Sequence, residues 1–174
     1  SFAKYQLNGY SHVEDGGTIS TNFNWFKVPA ITQEVYFGIA TEGAGTSSAH
    51  AGFAVGDQTG FVVPSTATTY ATAGLLALDG SAAITTLQGD LTLAAGYGSL
   101  TGTLSGSGYT LGISAASSST GTFSGSSSLS GNGASGTGNS SGHFYSSGAT
   151  SAIAGVANGT SGTSYVAGFG GVAK

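Results

Sequence analysis

Three histidines, His12, His50 and His143, are the side chains of this 174-residue sequence best suited to hold a metal or move a proton near neutral pH. His50 stands in Ser47-Ser48-Ala49-His50-Ala51-Gly52-Phe53, where small neighbours leave room for a flat ligand. His12 stands in Asn8-Gly9-Tyr10-Ser11-His12-Val13, two residues after an aromatic ring. A neutral imidazole is a good axial ligand for haem iron, and aromatic and aliphatic neighbours supply the apolar walls a porphyrin needs. Haem ligation by histidine has no spacing signature, so a histidine that is simply polar surface fits the same residues. His143 precedes Phe144; with Phe144 pointing into a core, two-residue periodicity turns His143 to solvent.

Other chemistry finds little support. Glu14-Asp15 is an acidic pair, but adjacent residues of a strand or turn point apart, and no second carboxylate motif completes an acid/base pair. Serine is abundant, yet Gly106-Ser107-Gly108 and Gly125-Ser126-Ser127 read as hairpin material, with no nucleophile turn between a strand and a helix. A phosphate loop lacks its following helix and lysine. An enzyme is therefore not expected. With 3 Lys and Arg together, a net charge of -4 and charged residues at 6%, nothing can neutralise a run of phosphates, and nucleic acid is not an expected partner. Zero cysteines leave no disulfide, thiol chemistry or cysteine-linked lipid. No apolar run approaches the roughly 20 residues of a membrane span.

The elements that must position these groups read as β throughout. Thr18 to Val28 carries Ile19, Phe23, Trp25 and Phe26 before Pro29 ends the run, and Val35-Tyr36-Phe37-Gly38-Ile39 is a second β-rich stretch. Thr41 to Ser48 reads as a loop, and Ala49 to Val55 as at most a single helical turn. After Pro64 the spacing becomes regular and predicts eight strands, at about 67–75, 88–96, 99–105, 109–115, 121–129, 139–146, 149–157 and 163–172. Leu91, Leu93, Ala95 and Tyr97 share one face, as do Leu100 with Leu104 and Tyr109 with Leu111 and Ile113, while threonines and serines fill the other. Tyr165 and Phe169 are assigned to the core. Gly106-Ser107-Gly108, Ser119-Thr120-Gly121 and Asn158-Gly159 supply tight turns, and the sequons Asn139-Ser140-Ser141 and Asn158-Gly159-Thr160 read as turns as well. Short antiparallel strands with one apolar face close on themselves to remove their edges, and eight of them leave an interior just wide enough for side chains. The expected fold is all-β: a small N-terminal β-rich clamp domain over residues 1–64, then an eight-stranded antiparallel barrel over 65–174. A hydroxyl-lined adhesive or ice-binding face would need a propagating Thr-x-Thr repeat; Thr101-x-Thr103 does not propagate.

Particular motifs carry a resemblance. Gly142-His143-Phe144-Tyr145-Ser146-Ser147-Gly148-Ala149, then Ile153-Ala154-Gly155-Val156 and Val166-Ala167-Gly168-Phe169-Gly170-Gly171, resemble the closing barrel strands of the transferrin-binding-protein-like family of Gram-negative surface and secreted proteins. Thr66 to Tyr70, Gly89 to Leu93, Leu100 to Leu104 and Gly121 to Gly125 resemble its first, second, third and fifth strands, so that about two thirds of the chain is covered. Ser146 stands where the family usually has glycine, and Ala154-Gly155 replaces Gly-Gly. The chain is similar in layout to the hemophilins, the small secreted members of that family.

That resemblance implies a secreted, monomeric hemophore. Haem would be held through His50, with His12 the second choice, or through both as a pair. Tyr10, Trp25, Phe26, Tyr36, Phe37 and Phe53 would wall the pocket, although strand core explains each of these rings equally well. The implied partners are an outer-membrane translocator during export and an outer-membrane receptor of the TonB-dependent type. The chain opens at Ser1 without a basic-then-apolar leader, which fits a processed secreted form. A module of the same architecture that captures a host protein or another metal-bearing small molecule is the alternative.

Overall fold

The structure is a computed structural model and describes residues 7–13, 20–43 and 49–174, with the backbone alone at 10–13 and 20. Two antiparallel units make it up. Strands β1 (Asn8–Val13), β2 (Ser20–Lys27), β3 (Val35–Glu42) and β4 (Ala49–Gly56) form an open sheet in chain order. Strands β5 (Thr68–Leu78), β6 (Ile84–Leu93), β7 (Ser99–Gly106), β8 (Tyr109–Ser117), β9 (Thr122–Gly131), β10 (Ala134–Ser147), β11 (Thr150–Gly162) and β12 (Tyr165–Ala173) follow one another around a closed barrel. Closure comes from β12 pairing with β5, from Tyr165↔Leu78 to Ala173↔Tyr70. The eight expected barrel strands are all present.

Alternation explains β6 to β9. Leu87, Leu91, Leu93, Leu100, Leu104, Leu111 and Ile113 point inward and are buried, while Thr92, Thr101, Ser114 and Ser126 face solvent in register across four strands. The β9–β10 connection uses Asn132 and Gly133 at φ of 49° and 78°, the pair of positive angles that a two-residue hairpin turn of matching twist requires.

The interior is filled. Phe123 packs its ring on Phe144 at 5.6 Å and on Phe169 at 6.0 Å between centroids, and Tyr70 lies 6.4 Å from Phe144. Two buried phenols satisfy their hydroxyls on serines: Tyr70 with Ser151 and Tyr165 with Ser127, each at 2.7 Å. As expected, Tyr165 and Phe169 belong to this core.

Burial drives the Tyr70 hydroxyl up to about 12, more than its hydrogen bond to Ser151 offsets, and burial also raises Tyr145 and Tyr165. A folded-state pKa above the unfolded value of 10.0 means that Tyr70's contribution is complete below pH 10.0 and lost as pH rises through about 12. The loss for Tyr70 alone is roughly 2 to 3 kcal/mol. In an alkaline titration, tyrosinate absorbance is expected to show Tyr36, Tyr70, Tyr145 and Tyr165 ionising late among the 8 tyrosines, the three buried ones together with the loss of β-sheet circular dichroism. Smooth titration of all of them before unfolding would contradict this.

Strands β5, β11 and β12 break the alternation because the barrel is covered there. Their outward residues, Ala73, Leu75, Ala77, Ala152 and Ala154, are buried against Phe26, Val28, Val35, Phe37 and Ile39 of the sheet, with Tyr145 at the border. Strands buried on both faces read as continuous apolar runs, which Leu75-Leu76-Ala77 and Ala152-Ile153-Ala154 show. The approach is close enough to need glycine. A Cβ at Gly168 would lie 2.5 Å from the Gly38 carbonyl oxygen, and one at Gly52 would lie 2.5 Å from that of Ala167.

The sheet ends at Gly56, earlier than the expected boundary at Pro64-Ser65. The link that follows belongs to the barrel end: Phe61 and Val63 pack against its core, and Gln58 Nε2 donates to the carbonyls of Gly121 and Phe144 at 3.2 Å each. Ser146 Oγ accepts from Val62 N at 2.8 Å and donates to Val62 O at 3.0 Å.

Three local expectations are corrected. Ala49–Gly56 is a strand, because pairing with β3 overrides the weak β preference of alanine and glycine. Tyr97 does not share the core face of Leu91: it sits in the β6–β7 turn at a φ of 57° and is 43% exposed. Asn139 and Asn158 are not in turns but pair with each other in mid-strand.

Candidate functional site

The barrel cannot host a ligand inside, since its lumen is packed with leucine and aromatic side chains. The four-stranded sheet carries the aromatic and histidine candidates, and period two sorts its residues. Phe26 and Phe37 point to the barrel, 2% and 0% exposed, so Phe23, Trp25, Tyr36 and Ala40 fall on the other face. Register carries that face onto β4: Gly38 pairs with both Trp25 and Phe53, and Ala40 pairs with both Phe23 and Ala51.

The result is a half-buried outer surface on which Phe23, Trp25 and Phe53 stand around small residues of the central strand. Phe23 and Phe53 meet edge to face, 6.5 Å between centroids with planes at 71°. Tyr36 lies further along the same face in a polar cluster. Its hydroxyl donates to Glu34 Oε2, Lys27 Nζ lies 5.9 Å from its ring centroid, and Lys27 pairs with Glu34 at 3.3 Å. The phenol's hydrogen bond, and then Lys27, hold the Glu34 carboxyl below its usual range, while the same bond raises Tyr36.

The aromatic residues singled out in the sequence therefore divide. Trp25 and Phe53 are brought together on the outer face, and Tyr36 shares it at one end. Phe26 and Phe37 are core between sheet and barrel, their rings 5.6 Å apart, and line no open cleft. Tyr10 and His12 hold positions on β1 opposite Phe23 and Thr21, and their side chains lie outside the described residues. Sequence reasoning did not assign Phe23 a site role; its place two residues before Trp25, on the same strand face, is the signal that would have found it.

His50 occupies the inner side of β4, facing the barrel with Thr41 and Gly52. Both ring nitrogens are engaged. The Ser81 carbonyl can only accept, so Nε2 carries the hydrogen that it receives, and in the neutral ring Nδ1 then accepts from the Thr41 hydroxyl at 2.8 Å. Beside the ring lies a crevice of about 200 Å³ lined by Ala49, Ala77, Asp79, Ser164, Tyr165 and Val166. That volume is below the roughly 300 Å³ at which small-molecule pockets begin. His143 is exposed on β10 next to buried Phe144, as the alternation requires.

Among the described residues no cluster of three or more His, Cys, Asp or Glu could hold a bare metal ion. A porphyrin needs less from the protein, namely one imidazole and an apolar slot. Two shallow grooves of about 480 and 420 Å³ run over the outer barrel wall, lined by serines, threonines, asparagines and glycines with Ile113 and Val156, and by no ionisable group. No helix among the described residues is long and apolar enough to cross a membrane. Compared with known proteins, the sequence matches no family model and no curated protein.

Proposed function

We propose that this chain is a haem-binding carrier, a secreted hemophore that takes up haem on its N-terminal sheet and passes it to an outer-membrane receptor, with the barrel as scaffold and export element. The observation that supports it is the outer face of the sheet: Phe23, Trp25 and Phe53 around Gly38, Ala40 and Ala51, an apolar area on one side of the sheet. Aromatic faces and small residues together suit a planar macrocycle better than a flexible or charged ligand.

Iron ligation falls to His12 first in this reading. His50 would have to give up two hydrogen bonds and leave a crevice too small for the ring system. The occupied nitrogens of His50 are also what favours the second reading, a module of the same architecture that captures a host protein or another metal-bearing small molecule.

Hemin titration decides between them. A sharp Soret band is expected with the parent chain, lost in His12→Ala and kept in His50→Ala. Trp25→Ala and Phe53→Ala are each expected to weaken binding by about tenfold, the scale of one aromatic contact. A spectrum identical to free hemin would reject the carrier reading and leave the second.

A further inference from the structure

We propose that His50 is a strap that fastens the sheet to the β5–β6 turn of the barrel, and that its release lets that turn move. The ring belongs to β4, the partner of Nδ1 is Thr41 on β3, and the partner of Nε2 is the carbonyl of Ser81 in the turn, 31 residues further along the chain. One side chain thereby ties two strands of one unit to a connection of the other.

The turn itself is lightly held. Ser81 N donates to Leu78 O at 3.2 Å, Ala83 N donates to Ser81 Oγ at 3.2 Å, and Asp79 N donates to Ser164 O at 3.2 Å. All three are at the long end for N–H donors, and the first two close within the turn rather than anchoring it. Residues 79–83 are also composed of small or polar side chains that pack little surface: Asp79, Gly80, Ser81, Ala82 and Ala83. A segment with few apolar contacts opens at low cost unless something outside it supplies a tie, and the His50 ring supplies one. Thr41 completes the device, because its hydroxyl donates to Nδ1 and holds the ring at the angle that brings Nε2–H to the Ser81 carbonyl.

This role belongs to the free chain and stands whichever group holds a ligand. Hydrogen exchange on the full chain, without ligand, tests it. In His50→Ala the amides of 79–83 are expected to exchange about tenfold faster while β7, β8 and β9 keep their rates. Thr41→Val, which removes only the hydroxyl, is expected to raise the same amides by a smaller factor of about three, and it carries the test should His50→Ala fold poorly. Parent rates at 79–83 in both variants would overturn the strap. So would a rise spread evenly over all barrel strands, which would report general destabilisation instead.

Discussion

Replacing Phe37 with alanine is expected to lower the unfolding free energy by about 3 to 5 kcal/mol, the cost of removing a fully buried phenylalanine and leaving a cavity. The site leaves little room for relaxation. Phe37 is 0% exposed, with Phe26 5.6 Å from it on one side, and a Cβ built at Gly170 of β12 would lie 2.5 Å from its ring. Because the ring lies between sheet and barrel, the variant also reports whether the two units unfold together. Urea unfolding followed by Trp25 fluorescence, which reads the sheet, and by far-ultraviolet circular dichroism, weighted to the barrel, should give coincident transitions in the parent. In Phe37→Ala both midpoints should fall. A change confined to the fluorescence transition would mean that the barrel does not depend on its cover.

Gly168→Val is the second large effect, and it comes from overpacking rather than loss. The glycine faces backbone alone: a Cβ there would lie 2.5, 2.7 and 3.0 Å from the carbonyl oxygen, nitrogen and carbonyl carbon of Gly38. Backbone in the middle of a paired strand cannot rotate away as a side chain can, so β3 must lift from β12. The cost should reach or exceed the roughly 3 kcal/mol at the upper end of ordinary overpacking. Gly9→Ala serves as the comparison, since its added atom meets only ordinary contacts at 3.7 Å and should stay within about 0.5 kcal/mol. Equal stability of Gly168→Val and the parent in thermal unfolding would show that the two units do not meet as closely as described.

The barrel was legible in the sequence because β6 to β9 alternate between leucine and hydroxyl residues, and that pattern leaves one register. The cover was not. Its inward residues Val35, Phe37 and Ile39 could be assigned to a strand, but nothing in their spacing names Ala73, Leu75 and Ala154 as what they touch. Alanine and glycine on the outer faces of β11 and β12 looked like ordinary small-residue filling, whereas their small size is what admits another backbone. The same limit applies to the site. His50 could be picked out by residue type, while its partners Thr41 and Ser81 are set by sheet register and by a turn 31 residues away. Trp25 and Phe53 are 28 positions apart and share one face of the sheet only because both pair with Gly38.

The pairing of β12 with β5 has a consequence for assembly. Both strands, with β11, form the floor under the sheet, so the surface that Phe26 and Phe37 cover is incomplete until Tyr165–Ala173 has joined Thr68–Leu78 across the 86 residues between them. Such long loops close late and slowly. A nascent copy still lacking that last strand would hold its N-terminal aromatics with nowhere to lay them, and would pass through synthesis as a sticky intermediate.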